Sequence, residues 1–160
     1  MARLTDLSFK NRLFMKTYRY RTFDWSPGSV LRKPLERARV AVITTAAFYL
    51  PHQSPFNDEI KGGDVSYREI PVDADLKSLL IGHKSDAFDQ SGIAQDPNLA
   101  LPVDRLREME QEKVIGAVSH RHFSFIGSIT APGRLVAQSA PEVAALLKKD
   151  GVDVALLTPV

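Results

Sequence analysis

Val114-Ile115-Gly116-Ala117-Val118-Ser119-His120-Arg121-His122-Phe123-Ser124-Phe125-Ile126-Gly127 is the stretch on which the reading of the fold turns. Val114, Ile115, Ala117 and Val118 form a short apolar run of the kind found in strands covered on both faces. Ser119 to His122 then put four polar groups at what reads as its carboxyl end. Ligands bind outside the carboxyl ends of strands in open α/β sheets, so Ser119–His122 becomes one wall of a candidate site. Two of the chain's four histidines lie here, two residues apart. In an extended backbone both rings point to one side. The same pair also fits a solvated or hydrogen-bonded pair with no chemistry attached.

Working outward, Asp104 is placed to cap a helix running to about Lys113, with Leu106 and Met109 on one face. Downstream, Ser139-Ala140-Pro141-Glu142 reads as a capping box opening a helix through Val143, Ala144, Leu146 and Leu147, and Gly151 ends it. Val152 to Leu157 reads as a buried parallel strand. Upstream, Arg39 to Thr45 is rich in β-branched residues and reads as a central strand. Val65 to Ile70 alternates in period two and ends at Pro71, which suits an edge strand. Leu76, Leu79, Leu80 and Ile81 predict another. Strand, loop and helix alternate from residue 39 onward, which gives an α/β fold: a mostly parallel sheet with flanking helices in a Rossmann-like three-layer architecture. The expected domain covers residues 38–160, preceded by a basic, aromatic N-terminal arm over residues 1–37.

Composition bounds the function. The 160 residues are 44% hydrophobic and 25% charged, as in a soluble globular domain. Met1 to Lys16 builds no apolar segment of the signal-peptide kind, and Ala38 to Leu50 is too short and too polar to span a bilayer. The expected location is cytoplasmic. There are no cysteines, which excludes disulfides, thiolate metal sites and a cysteine nucleophile within these residues. Residues 1–39 hold ten Lys/Arg against three Asp/Glu, a net +7, while residues 40–160 hold eleven against sixteen, a net −5. The arm mixes Phe9, Phe14, Tyr18, Tyr20, Phe23 and Trp25 with arginines and lysines, and Leu4, Leu7 and Phe14 would share one helix face. Such a segment can stack bases and hold phosphates, but anchoring on a neighbouring subunit or domain is the preferred reading, and nucleic acid is disfavoured. Ala46 to Pro51 carries no glycine, so neither a phosphate loop nor a dinucleotide fingerprint is present.

Two long polar connections complete the map. His52 to Asp64 reads as a loop over the strand ends, of a length that often serves as a lid. Gly82 to Asn98 carries His83, Asp86, Asp89, Asp96 and Asn98, ligand types for a hard or borderline metal. Their spacing matches no metal motif, and no metal site is assigned. Asp96-Pro97-Asn98 is also good turn chemistry in its own right.

In their order and spacing, several segments together resemble the glycine/betaine/sarcosine/D-proline reductase selenoprotein B family. They are Leu31-Arg32-Lys33-Pro34-Leu35, Ala38 to Ala46, Gly63 to Pro71, Gly82-His83 with Asp89, Asp96-Pro97-Asn98, Pro102 to Glu108, His122 to Gly127 and Gly151 to Pro159. The resemblance covers about residues 31–160. It implies a subunit of a cytoplasmic reductase that cleaves a carbon–nitrogen bond of an amino acid or N-methylated amine. Its implied partners are other subunits of the complex or further copies of the chain, its ligand is a small amine, and no membrane is involved.

The resemblance further implies a redox-active selenocysteine or cysteine in a turn just after a strand like Ala155 to Val160, hence a redox centre beyond Val160. No such group lies within the 160 residues. Two readings stay open: a chain that continues past Val160, or a non-catalytic binding or assembly subunit that keeps the fold. The matching polar residues are His83, Asp89, Asp96, Asn98, Asp104, Arg105 and His122, with His120 and Arg121 beside them. As expectations, His122, with His120, handles the proton of the leaving amine. Arg121 or Arg105 holds a carboxylate by a bidentate contact. Asp89 or Asp104 attracts the ammonium, and His83 and Asn98 complete the substrate site. Capping already accounts for Asp104, and pairing with Glu108 accounts for Arg105.

Overall fold

The computed structural model describes residues 8–17, 24, 28–83 and 89–160. The chain divides into two units, Met1–Val30 and Leu31–Val160. In the first, α1 (Phe9–Thr17) carries an exposed Phe9, and the Thr17 hydroxyl donates to the Leu13 carbonyl at 3.3 Å. Leu4, Leu7, Tyr18, Tyr20, Phe23 and Trp25 lie outside the described residues. The aromatic-arm expectation rests mostly on them.

The second unit is a mixed α/β fold around a mostly parallel sheet. Its centre is β1 (Arg39–Thr44), where Val40, Ala41 and Val42 are buried. Along one edge of β1 lies β7 (Val154–Thr158), parallel, with Val40 opposite Val154 through to Thr44 opposite Thr158. That edge is filled, so the other two parallel partners share the opposite one. These are β5 (Ala117–Val118), with Arg39 opposite Ala117, and β6 (Arg121–Phe125), with Ile43 opposite Phe123. Between β5 and β6 the register on β1 advances by two residues, a bulge made by Ser119 and His120. On the far side of β6, β3 (Tyr67–Pro71) runs antiparallel, with Tyr67 opposite Phe125. Pro71 is tolerated because it ends this edge strand. A separate antiparallel pair joins β2 (Phe48–Tyr49) to β4 (Leu80–Ile81).

Alternation along β1 builds a core on each face. Val40 and Val42 pack with Ile70, Leu101 and with Val103 and Leu106 of α3 (Val103–Gln111). Ala41 packs with Phe123, Phe125 and with Val143 and Leu147 of α4 (Ala140–Lys149). Each fully buried side chain of this size contributes about 1.5–3 kcal/mol. The short α2 (Ser91–Gln95) lies in the second long connection, of which residues 84–88, including Asp86, are outside the description. Among the described residues no helix is long and apolar enough to cross a membrane.

Four elements differ from the sequence reading. Asp104 does not cap its helix: α3 follows Pro102 with no side-chain cap, and Asp104 lies in its first turn, because the chain already turns helical at Val103. Leu76 to Ile81 is not one strand: Asp75 caps a 3-10 turn, Leu76–Ser78, by accepting from the Lys77 amide at 3.0 Å, and only Leu80–Ile81 pairs. Local side-chain capping outcompetes strand pairing there. Ser139 makes no cap, because the helical path has already begun in a π-helical turn, Leu135–Ser139, and the Ala140 amide reaches back to the Leu135 carbonyl. A widened turn also accommodates Pro141, which has no N–H to donate. Finally, β7 is not buried. Leu157 is 65% exposed, and with Ala155, Ile43, Phe125 and residues of α4 it lines an apolar groove of about 490 Å³.

Candidate functional site

Ser119 and His120 follow the carboxyl end of β5 directly, but Arg121 and His122 already belong to the next strand. The bulge carries the chain onward, so Arg121 and His122 open β6, and the carboxyl end of the strand comes later, at Phe125–Gly127. His122 is fully buried, and its Nδ1 accepts from the backbone amide of Val42 at 3.0 Å. That bond puts the ring proton on Nε2, which has no partner among the described residues. Burial above all, with the nearby charges of Arg107 and His120, pushes its pKa down to about 4. The ring is therefore a neutral component of the sheet at pH 7.

Arg121 is fully engaged. Its Nε and Nη2 grip both oxygens of Asp150 at 2.6 and 2.8 Å, and Nη1 donates to Glu69 at 2.8 Å. The Asp150 side chain is only 6% exposed. Hydrogen bonds from Arg121 are the first cause holding the Asp150 carboxyl below its usual range. His120, 60% exposed, approaches the same carboxylate at 3.7 Å. Asp150 follows α4 and precedes β7, so this cluster ties the amino-terminal ends of the parallel strands together.

The remaining expected residues also serve local structure. Asn98 brackets the start of α3: its Oδ1 accepts from the Asp104 amide at 3.0 Å, and its Nδ2 donates to the Asp104 carboxylate at 3.0 Å. Asp104 also pairs with Arg107 at 2.8 Å. Arg105 pairs with Glu108 at 2.9 Å on an exposed face. Asp89 accepts from the Ser91 amide at 2.9 Å at the start of α2, and that bond lowers its pKa. Among the described residues no group of three or more His, Asp or Glu is placed to hold a metal ion.

His83 differs from all of these. It is buried, and burial lowers its pKa. Its Nε2 packs against Gly127, where a Cβ would come within 3.0 Å of it. The carbonyls of Thr45, just past β1, and of Val160, past β7, lie 3.4 Å from the same point. Three parallel strands therefore end around one glycine with an imidazole against it. The Val160 amide is fixed there by donating to Thr45 Oγ1 at 2.9 Å.

A cavity of about 250 Å³ opens at this place, between the loop Asn57–Asp64 and the segment Ile126–Thr130. Gly62 and Gly63 adopt φ +92° and +101° and lie against Ala131 and Ile129, where no Cβ would fit. Asp64 holds the loop by accepting from the amides of Asn57 and Ser66, both at 2.9 Å. Burial alone would raise its pKa, but those hydrogen bonds bring it below the usual carboxylate value. Arg68 braces the loop from behind, donating to the carbonyls of Ser54 and Pro55 with its guanidinium 4.3 Å from the Phe56 ring centre. Asp58, Ser128 and Thr130 complete the polar lining. The loop expected over the strand ends is this wall. Asp58, Ser128 and Thr130 went unread because single polar residues in loops carry no periodic signal; Gly62-Gly63 and Gly127 were the available clue.

Comparison with known proteins adds an independent finding. A family model described as glycine/sarcosine/betaine reductase selenoprotein B matches residues 3–160. The D-proline reductase subunit gamma of Acetoanaerobium sticklandii is 31% identical over 134 residues, covering 84% of this chain and 52% of its own length. The glycine reductase complex component B subunit gamma of Carboxydothermus hydrogenoformans is 32% identical over 139 residues, covering 85% and 31%. The betaine reductase complex component B subunit beta of Peptoclostridium acidaminophilum is 31% identical over 134 residues, covering 79% and 29%. The chain thus spans about half the length of the first and about a third of the others. No solved structure matches it.

Proposed function

The chain belongs to the glycine/sarcosine/betaine reductase selenoprotein B family, and from that premise we propose that it is a subunit of a reductase complex that cleaves the carbon–nitrogen bond of an amino acid or N-methylated amine in the cytoplasm. The observation that carries this to a place in the fold is the convergence of His83, Gly127 and the Val160 carbonyl beside a polar cavity. With α3 and α4 on opposite faces of a mostly parallel sheet, the architecture reads as Rossmann-like, and such folds bind ligands at the carboxyl ends of their strands.

Reductive cleavage of a carbon–nitrogen bond takes two electrons and two protons, leaving a C–H bond and a free amine. The 160 residues hold no cysteine. In this reading the redox group, a selenocysteine or cysteine, belongs to residues beyond Val160, whose carbonyl already faces the cavity wall. The chain's own residues bind and orient the amine. His83, neutral at pH 7, is the group there suited to exchanging a proton with the departing nitrogen.

Purification of the tagged chain from its native cells tests the reading. The expected result is co-purification with larger reductase components and dithiol-dependent cleavage of a small amine. A lone chain with no such activity overturns it. A stable complex whose turnover does not depend on His83 favours the alternative, a non-catalytic binding or assembly subunit.

A further inference from the structure

The outer side of β7 has the character of a surface that another element covers. Asp153, just before the strand, donates to the Arg39 carbonyl at 2.9 Å, so by alternation Ala155 and Leu157 turn their backbone groups towards β1. Val154 and Leu156 turn theirs the other way. Among the described residues no strand pairs on that edge. Edge strands ordinarily carry a lysine, a proline or a bulge that discourages pairing. Val154-Ala155-Leu156-Leu157-Thr158 has none of these and keeps an unbroken register on β1. Leu156 is 38% exposed and Leu157 65%.

The face beside this edge is also open. The groove of about 490 Å³ is lined by Ala155 and Leu157 of β7, Val143 and Leu147 of α4, and Ile43 and Phe125 of the sheet. Strands of parallel sheets are normally covered on both faces by the helices of their crossovers. Chain topology says which helix belongs here. β6 lies on one side of β1 and β7 on the other, and α4 connects them. Right-handed crossovers keep their helices on one face while successive strands advance in one direction across the sheet. A strand added outside β7 continues that advance. The helix leading to it therefore falls on the α4 face, over Leu157, in the groove.

The relatives have the length of chain that such a unit needs. The segment that matches this chain is 52% of the D-proline reductase subunit gamma and about a third of the glycine and betaine reductase components. Val160, bonded to Thr45 Oγ1 just past the carboxyl end of β7, stands where the crossover would begin.

We infer that the groove and the open edge of β7 receive a helix and a parallel strand formed by residues that follow Val160. The inference rests on the proposed reading that a redox segment lies beyond Val160, and it gives that segment a seat on the fold. The helix fills the groove, and the strand takes up the free backbone groups of Val154 and Leu156.

Hydrogen exchange, read residue by residue, compares the 160-residue chain with the protein purified from its native cells. In the native protein the amides of Val154 and Leu156 are expected to exchange at least about tenfold more slowly, at an intact mass above the 17.8 kDa of the 160 residues. Leu157→Lys gives a second readout. At an exposed position it should leave the thermal midpoint of the 160-residue chain within about 2 °C, and lower that of the native protein by about 4 °C or more. Edge amides that exchange equally fast in both proteins overturn the docking, and so does a native protein whose midpoint ignores Leu157→Lys. Protection already present in the 160-residue chain means that its own residues cover the edge, which also overturns it. Protection at a mass of 17.8 kDa overturns the choice of occupant: dependence on protein concentration then marks a second copy, and a co-purified polypeptide marks a separate subunit. Amine cleavage by a native protein with an open β7 edge removes this inference alone. A protected edge without dithiol-dependent cleavage supports the docking and removes the reductase reading.

Discussion

The backbone amide of Val42 donates to Nδ1 of His122 at 3.0 Å, and this one bond closes a gap in the sheet. Ser119 still donates to the Val40 carbonyl at 2.8 Å as β5 ends. The bulge then turns the His120 carbonyl outward, where it accepts from the Val72 amide at 2.8 Å. Val42 is left with no backbone acceptor across that edge, and the imidazole of His122 takes the place of the missing carbonyl. A buried amide without a partner would cost about 1–3 kcal/mol.

Substitutions at His122 are therefore expected to act on stability. His122→Phe fills the space but leaves the amide unpaired, and His122→Asn offers an acceptor but leaves a void. His122→Ala does both damages and should cost about 3–4 kcal/mol. Urea denaturation measures the three. A cost below about 1 kcal/mol for the alanine variant would mean the bond does not hold the sheet together.

The same burial predicts a pH dependence. The His122 pKa is about 4 in the folded chain against about 6.5 unfolded. Between those values the unfolded chain binds the extra proton, so stability rises with pH. The contribution is complete above about pH 6.5 and fades as pH falls towards 4, amounting to about 3 kcal/mol. His83, lowered by burial, acts in the same direction. Denaturation between pH 5 and 7 should show a slope in the wild type that is shallower in His122→Phe; equal slopes would refute the assignment.

Much of the sheet was legible because β1 and the β3 edge announce themselves by β-branched content and alternation, and α3 and α4 by their apolar faces. The site was less so. Ser119–His122 reads as a strand end because a two-residue bulge has no compositional mark: nothing in four polar residues after Val118 says that the last two open a second strand on the same edge of β1. Whether a histidine faces solvent or fills a break in a ladder depends on the register between residues 80 positions apart. His83 was read as a site residue, but its opposing wall comes from Gly127 and Val160, and that juxtaposition is tertiary.

Arg121 offers a further test, because its contacts identify it as a brace. Arg121→Met leaves the nearly buried Asp150 carboxylate without its cation and should cost about 3 kcal/mol. Arg121→Met/Asp150→Leu should recover part of that loss, giving a coupling energy above about 1 kcal/mol in a double-mutant cycle. Amine binding should be unaffected. An Arg121→Met variant of normal stability with weakened amine binding would instead support the carboxylate-holding role.

Two glycines predict opposite responses. At Gly116 a Cβ would lie 2.4 Å from the Arg37 carbonyl carbon and 2.8 Å from the Ala38 amide, backbone that cannot yield without shifting the start of β1. Gly116→Ala should cost about 1–3 kcal/mol or more. At Gly133, before the π-helical turn, nothing lies within 4 Å. Gly133→Ala should be neutral or stabilise by about 0.4–1 kcal/mol through the unfolded chain. Thermal denaturation of both variants checks the sign of each change.

Gly127→Ala separates the cavity from the rest of the fold. Its backbone is absent from the positive-φ glycines, so alanine meets no backbone strain there. The added methyl comes to 3.0 Å from His83 Nε2 and 3.4 Å from the Thr45 and Val160 carbonyls. The imidazole is the element able to move, by rotation of its side chain, and it moves relative to the cavity. The chain should stay folded, with a stability loss below about 1.5 kcal/mol, while the affinity for sarcosine falls by about tenfold. The His83 ring resonances should shift in the NMR spectrum. An unchanged affinity alongside shifted His83 resonances would show that the imidazole is not part of the amine site.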